Sequence, residues 1–541
     1  MAYHSTLYLV LFLPVLLILY QAVPSKYRWC VLLGGSYYFY YAISGVLIVY
    51  LLTATLIIYN IAVRIELERA ESRLNMENLS AEDRAGEKER LHIKIKKIML
   101  CGICLLLGIL IWKKYSSFGA ANLNRLLRML SMEGVVPVNP VVLPIGLSFF
   151  TLQAVSYLLD VWRGTVHAEK HLGKLALFLA FFPQIMEGPI CRYEQTAEPL
   201  FHGKPLTVAR LSMGGQRILW GLWKKMLVAD RLDILVKNVY GNYQSYDGAV
   251  IAVAAVSYTI QLYMEFSGCM DMVIGSGELF GISLPENFRQ PFFSRFVSEF
   301  WRRWHISLGT WFKDYIFYPV SMSKWVRKIR VWAKERESGR GRKNGRERGA
   351  AHLVKCCVSA AALFPVWLCN GLWHGPRWSF IFYGMYYFVL ITLSVVLEPW
   401  YGKMRSRLNI KPGNRIYHGF QILRTWVLVV TGELFFRAEG LKIGAKMFCS
   451  VLTRFKISSL WDGTLLGLGL DRWDFQLIAG VLIAVLFVSY IQEKGQDARR
   501  NLKTMPLAVR WCIYYGVMVS LCVFGAYGPG YSAVDLIYAN F

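Results

Sequence analysis

The chain has 541 residues, of which 55% are apolar, 15% aromatic and only 18% charged; this balance excludes an ordinary soluble domain. Its 61 basic and 35 acidic residues give a net charge of +26. The excess lies in short loops flanking apolar runs, which argues for anionic membrane lipid and not nucleic acid as the partner of that charge.

The first apolar run, 6–23, has no basic residue ahead of it and no small-residue cleavage site. It reads as a retained helix, not a signal peptide. Further mostly apolar segments lie at 29–43, 45–63, 96–112, 141–160, 172–186, 207–229, 247–266, 355–373, 377–398, 418–436, 474–491 and 508–526. A bilayer core needs about 20 helical residues to cross, and several of these runs are short or broken by Pro and Gly. The expectation is an all-α polytopic membrane protein with about eleven to thirteen transmembrane or re-entrant helices around an internal tunnel. The mixed-sign loop 64–97 predicts an amphipathic helix. Basic residues crowd 324–348, 403–415 and 494–510, and such loops stay cytoplasmic. With no long Ser/Gly/Pro linker, 1–541 reads as one domain. Its parts are an N-terminal helical group (1–135), a site-bearing core (136–400) and a C-terminal helical group (401–541).

The core is unusual for a bundle, because Gly and Pro recur beside polar residues in LPIGLSF (143–149), FFPQIMEGPI (181–190) and YMEFSGCMDMVIGSGELFGISLPENF (263–288). Non-helical backbone at membrane depth must be buried by protein or line a cavity, so these stretches predict breaks around an internal space. The eleven cysteines are scattered. Cys101 and Cys104 form a CxxC inside a span without polar ligands, which predicts packing and not a redox or zinc site.

Two histidines carry the chemistry. An ionisable residue at membrane depth is costly, which makes each a candidate site residue. His374 ends the apolar run in NGLWHG (370–375), with Asn370 one turn earlier on the same helix face and Trp373 beside it. Gly371 and Gly375 allow close approach of backbone or substrate. A neutral imidazole can take the proton of a hydroxyl as its oxygen attacks an acyl carbon, and that activity would fall as acid protonates the ring. A packed or interfacial histidine is the alternative. His305 lies in FWRRWHISLGTWF (300–312) with Trp304, Arg302 and Arg303. Trp and Arg together suit an interfacial helix that also grips phosphate. His305 itself can position an acyl carbonyl, line a tunnel or pack. Glu265 and Asp271 follow an apolar run in a Gly-rich stretch, as catalytic support or as bracing, and Asp314 can pair with nearby arginines. No GxSxG elbow, Walker loop or HExxH pair is present, and the remaining histidines give no warrant for a metal site.

Six segments in order resemble the membrane-bound O-acyltransferase superfamily, in its bacterial branch of alginate O-acetyltransferases and teichoic-acid D-alanyl transferases. They are LPIGLSFFTLQAVSYLLDVWRG (143–164), FFPQIMEGPI (181–190), YMEFSGCMDMVIGSGELFGISLPENFRQPFFS (263–294), FWRRWHISLGTWFKDYIFYPV (300–320), NGLWHG (370–375) and GELFFRAEG (432–440). With a similar N-terminal layout, the resemblance covers roughly residues 1–440. It implies transfer of an acyl group from a cytoplasmic thioester, acetyl-CoA or an acylated carrier protein, across the membrane to an extracytoplasmic acceptor. It also implies His374 as catalytic base, His305 in the reaction tunnel and no bound cofactor. Two departures stand out: Glu265-Phe266-Ser267-Gly268 replaces the family's DFSG, and Met186-Glu187 precedes Gly188 where AGP is usual. The C-terminal DLIYANF resembles an aromatic tail proposed to relay the acyl group, which makes Tyr538 a possible relay or a simple anchor. The implied product is an acetylated exopolysaccharide, made in a bacterial plasma membrane with a separate extracytoplasmic Ser-His-Asp acyltransferase. D-alanyl transfer to teichoic acid, a transporter or flippase, and an export-complex scaffold are the rival readings.

Overall fold

Polar N-caps open several of the helices of this chain. Ser80 Oγ accepts from the Asp83 backbone N–H at 3.2 Å and opens the helix Ala81–Met129, with Glu82 and Asp83 in its first turn against the positive end of the helix dipole. Asn414 caps Arg415–Arg437 in the same way, and Asp471 and Asp474 cap Arg472–Glu493 reciprocally. The computed structural model describes residues 2–77, 79–132, 136–138, 141–338, 346–411 and 413–527, the side chains of 332–338, 346–351, 353 and 355 excepted. Among these residues there is no strand, only one isolated β-bridge between Phe288 and Trp304.

Eight described helical runs are long and apolar enough to cross a membrane: Ser25–Glu77, Ala81–Met129, Gly248–Leu279, Cys356–His374, Trp378–Val396, Arg415–Arg437, Arg472–Glu493 and Leu507–Phe524. Gly45, at φ +53, divides the first of them into Arg28–Ser44 and Ile48–Glu77. The mixed-sign segment 64–97 is helical as expected, but as the continuation of two spans into a long hairpin. There Glu68 is buried and pairs with Arg64 at 2.7 Å and with Lys94. Three expected segments are shorter helices: Leu147–Arg163, Leu172–Ala180 and Val208–Lys224. Nine residues of helix reach about 14 Å, half of a hydrocarbon core of about 30 Å. Leu175–Ala180 and the turn 181–190 are buried throughout, so this part is interior and does not cross.

The chain forms two compact units that interleave along the sequence. The first holds Met1–Leu222 and Gly268–Glu286. Its N-terminal tyrosines reach inward: Tyr3 Oη donates to Phe182 O at 2.8 Å, Tyr8 to Ser276 Oγ at 2.9 Å and Tyr40 to Ile145 O at 2.9 Å. Gly214 and Gly275 bring two helices together backbone to backbone, since a Cβ on either would stand 2.7 Å from the other's carbonyl oxygen. Gly221 and Gly268, seven residues away along each helix, repeat the contact. The Gly-rich stretch that predicts a break is therefore helical through Leu279, its glycines spent on close packing. The chain turns only at Gly281, φ +75. Buried Arg217 closes this unit, meeting Asp271 at 3.0 Å and Glu286 at 2.7 Å.

The second unit holds Trp223–Ser267 and Asn287–Val534. Its centre is the helix hairpin Arg346–His374 and Trp378–Val396. A Cβ on Gly371 would stand 2.5 Å from Phe380 O, so only glycine lets these helices touch there. Lys225, fully buried, pairs with Asp230 at 2.8 Å and Glu265 at 3.8 Å.

Candidate active site

His305 stands at a sharp bend in the second unit. The helix Val297–Arg303 ends at Trp304, which is extended and bridges to Phe288, and the helix Ile306–Phe312 starts one residue after His305. Joining two helices across so short a link needs a reversal. His305 supplies it at φ 47, ψ 52, in the left-handed region, which costs a residue bearing a side chain about 1–3 kcal/mol. Segment 287–289 offsets that cost: Ile306 N–H donates to Asn287 O at 3.0 Å, and Arg289 N–H to Arg303 O at 2.9 Å. Asn287 Oδ1 accepts from Ser307 N–H at 3.0 Å and Ser307 Oγ at 2.9 Å, and lies 3.3 Å from His305 Nδ1.

The imidazole of His305 is 3% exposed and meets Phe266 and Trp373 edge-on, at ring-centroid distances of 4.9 and 5.3 Å. Burial removes the water that would solvate an imidazolium and pushes its pKa down to about 3, a hydrogen bond to its own backbone opposing this only in part. The ring is neutral at growth pH.

His374 is the last residue of its helix, and the chain turns at Gly375, φ +147. Its ring, also 3% exposed, packs on Trp373 and Phe436, both at 4.9 Å, and on Tyr383 at 5.8 Å. Trp373 therefore touches both imidazoles and joins the two motifs into one aromatic cluster. Asn370 is buried one turn before His374, and its Oδ1 meets no hydrogen-bond partner among the described residues.

The other predicted residues divide. Trp304 stacks on Phe300 at 5.3 Å and meets Phe288 at 5.0 Å, supporting the bend. Arg303 is held by Glu299 at 2.7 Å and Glu493 at 2.6 Å, while Arg302 is exposed. Glu265 pairs with Lys225, and its neighbour Phe266 is what touches His305. Asp271 is in the first unit, with Arg217. Asp314 is half-buried in the π-helical segment Lys313–Phe317, and Tyr538 lies outside the described residues. Two pockets, of about 500 Å³ beside Tyr243, Lys446 and Arg454 and about 270 Å³ beside Trp400, Arg405 and Arg424, are lined by none of these residues.

Two residues are additions to the set read from sequence. Glu433, 1% exposed, accepts from Tyr383 Oη at 2.7 Å, and Tyr383 packs on His374. An acidic residue inside the apolar run 418–436 was the signal for it. Asn287 carries no such mark, because its role arises from contacts made only on folding.

The described residues thus form a multi-pass helical chain with two buried histidines in one aromatic cluster. The chain belongs to the membrane-bound O-acyltransferase family, whose model matches residues 95–331 and so includes His305; it is a multi-pass bacterial membrane protein and an O-acyltransferase. Among its relatives is the probable alginate O-acetylase AlgI of Pseudomonas aeruginosa, 30% identical over 475 residues, 86% of this chain and 79% of that protein. The probable alginate O-acetylase AlgI of Pseudomonas putida is 29% identical over 513 residues, 94% of this chain and 91% of that one. The teichoic acid D-alanyltransferase of Bacillus subtilis is 28% identical over 306 residues, 54% of this chain and 69% of that protein.

Proposed function

We propose that the chain moves an acetyl group from a cytoplasmic thioester across the membrane for O-acetylation of an extracellular polysaccharide. The observation that carries this reading is the pair of buried imidazoles sharing Trp373, in a chain similar over nearly its whole length to alginate O-acetylases. His374, acting as general base, takes the proton of the attacking hydroxyl while that oxygen bonds to the acyl carbon and the thiolate leaves. Asn370 and backbone donors near it stabilise the oxyanion. His305 lines the path of the acyl group.

Orientation follows from charge. Arg303 ties the His305 bend to Glu493, the last residue of a helix that leads into the basic segment 494–510. Basic loops favour the cytoplasmic side, so the donor, acetyl-CoA or an acylated carrier protein, enters near 288–318. An extracytoplasmic Ser-His-Asp acyltransferase completes the delivery, and anionic lipid meets the basic loops. The shorter match to the D-alanyltransferase supports D-alanyl transfer less well.

The test is ester content of the cell-surface polymer in cells carrying wild type, His374→Ala or His305→Ala, at matched membrane abundance. We expect His374→Ala to abolish the ester, and mild base to release acetate from wild type. Ester unchanged in both variants would sink the enzymatic roles of these histidines.

A further inference from the structure

We propose that Asn287 is a positioning residue that holds His305 in one tautomer, with the proton on Nδ1 and the lone pair on Nε2, so that His305 accepts a hydrogen bond in the reaction and does not donate one. The assignment of the tautomer stands on geometry alone; its part in acyl transfer rests on the function proposed above.

The geometry resolves two ambiguities at once. An amide side chain can ordinarily be placed either way round. Here the Ser307 backbone N–H points at the Asn287 atom at 3.0 Å. A backbone N–H only donates, so that atom is the carbonyl oxygen. The Ser307 hydroxyl, 2.9 Å away, is a second donor to it. A carbonyl oxygen only accepts, so the proton of the 3.3 Å contact to His305 belongs to Nδ1. A neutral imidazole with Nδ1–H has its lone pair on Nε2. Burial of the ring, and its enclosure by Phe266 and Trp373, keep it from taking a second proton.

The backbone gives an independent reason to read this as a positioning device. His305 occupies a left-handed conformation that glycine would adopt more cheaply. Asn287 helps to hold it there through both its carbonyls, the side chain binding Ser307 and the main chain binding Ile306 at 3.0 Å. The side chain of Asn287 is fully buried, and its Oδ1 meets donors on His305 and Ser307, the two residues that flank Ile306. Bend and tautomer are thus set by the same side chain. An imidazole in this state orients an O–H group toward Nε2. It cannot serve as an oxyanion donor, which separates its role from that proposed for Asn370.

Two measurements test this, and they fail separately. In membranes containing ¹⁵N-histidine protein, the resonances lost in His305→Gln identify His305 by solid-state NMR. We expect the neutral Nδ1–H pattern in wild type at pH 7 and its loss in Asn287→Leu; a wild-type Nε2–H or doubly protonated ring would overturn the assignment. This readout does not depend on activity, so it stands even if His374→Ala leaves the polymer ester unchanged and the function reading fails. The second measurement is ester formed per enzyme molecule. Asn287→Leu should lose about 100-fold or more, as a wrong tautomer does in other histidine-dependent acyl transfer, and Asn287→Leu with His305→Gln should be no worse than His305→Gln alone. Asn287→Asp keeps the acceptor and should retain activity, with the acid limb moved to higher pH because a carboxylate favours the imidazolium. Losses that multiply in the double variant, or an Asp variant as inactive as Leu at normal membrane abundance, would overturn the positioning role.

Discussion

Gly371→Ala should inactivate the enzyme without touching a reactive group. The new Cβ would lie 2.5 Å from the Phe380 carbonyl oxygen and 3.1 Å from Ile381 Cα, where ordinary contact begins at 3.4 Å. Both neighbours are backbone, so neither can swing aside, and the hairpin must open by about 1 Å at this level. Overpacking of this kind costs about 1–3 kcal/mol. Gly371 is followed within one turn by Trp373 and His374, so the displacement falls on the ring that joins the two imidazoles. A misplacement of about 1 Å at a reacting centre costs about 100-fold in rate. Gly402, with nothing within 4 Å of a Cβ, is the matched control, and Gly402→Ala should leave stability and rate unchanged or slightly improved. The assay is polymer ester per unit of membrane-inserted protein, with a thermal melt in detergent. Wild-type ester formation by Gly371→Ala would refute the claim that hairpin contact sets the geometry of His374.

The depressed pKa of His305, about 3 when folded against about 6.5 unfolded, means that the unfolded chain binds the extra proton first. Stability is full above pH 6.5 and falls as pH drops below it, by about 2 kcal/mol at pH 5; equal melting slopes with pH for wild type and His305→Gln would contradict this. Lys225→Met removes the buried cation that faces Asp230 and Glu265, a loss of about 3–5 kcal/mol visible as low membrane abundance. Glu265→Gln should be milder and keep measurable activity, and complete inactivity at normal abundance would instead place Glu265 in the chemistry. Tyr383→Phe removes the donor to buried Glu433 and should lower the melting stability by about 1–3 kcal/mol; an unchanged melt would show that the bond carries no weight.

Much of this architecture is legible from hydropathy, because a helix that must satisfy its own backbone leaves a run of apolar residues of fixed length. The runs 355–373 and 377–398 appear almost unaltered as Cys356–His374 and Trp378–Val396. Hydropathy alone does not distinguish a crossing from a buried interior helix, and Leu172–Ala180 shows why: both environments exclude water. Glycine misleads in a different way. At 263–279 it suggests interruption, yet Gly268 and Gly275 lie in an unbroken helix whose neighbour approaches within backbone contact. The histidines announce themselves through the cost of polarity in an apolar run. Asn287 does not, since a polar residue in a loop is ordinary until its contacts with His305 and Ser307 are known.

The interleaving of the two units has a consequence for synthesis. Arg217 sits 54 residues ahead of Asp271 and 69 ahead of Glu286. At a ribosomal pace of about 5–20 residues per second, the arginine waits about 3 to 14 s for its counter-charges. Until then the first unit lacks Gly268–Glu286, and its basic side chain must stay in water or at the lipid surface. The nascent protein therefore cannot finish its first half before beginning its second, and an N-terminal fragment ending at Leu222 would carry Arg217 without Asp271, Glu278 and Glu286.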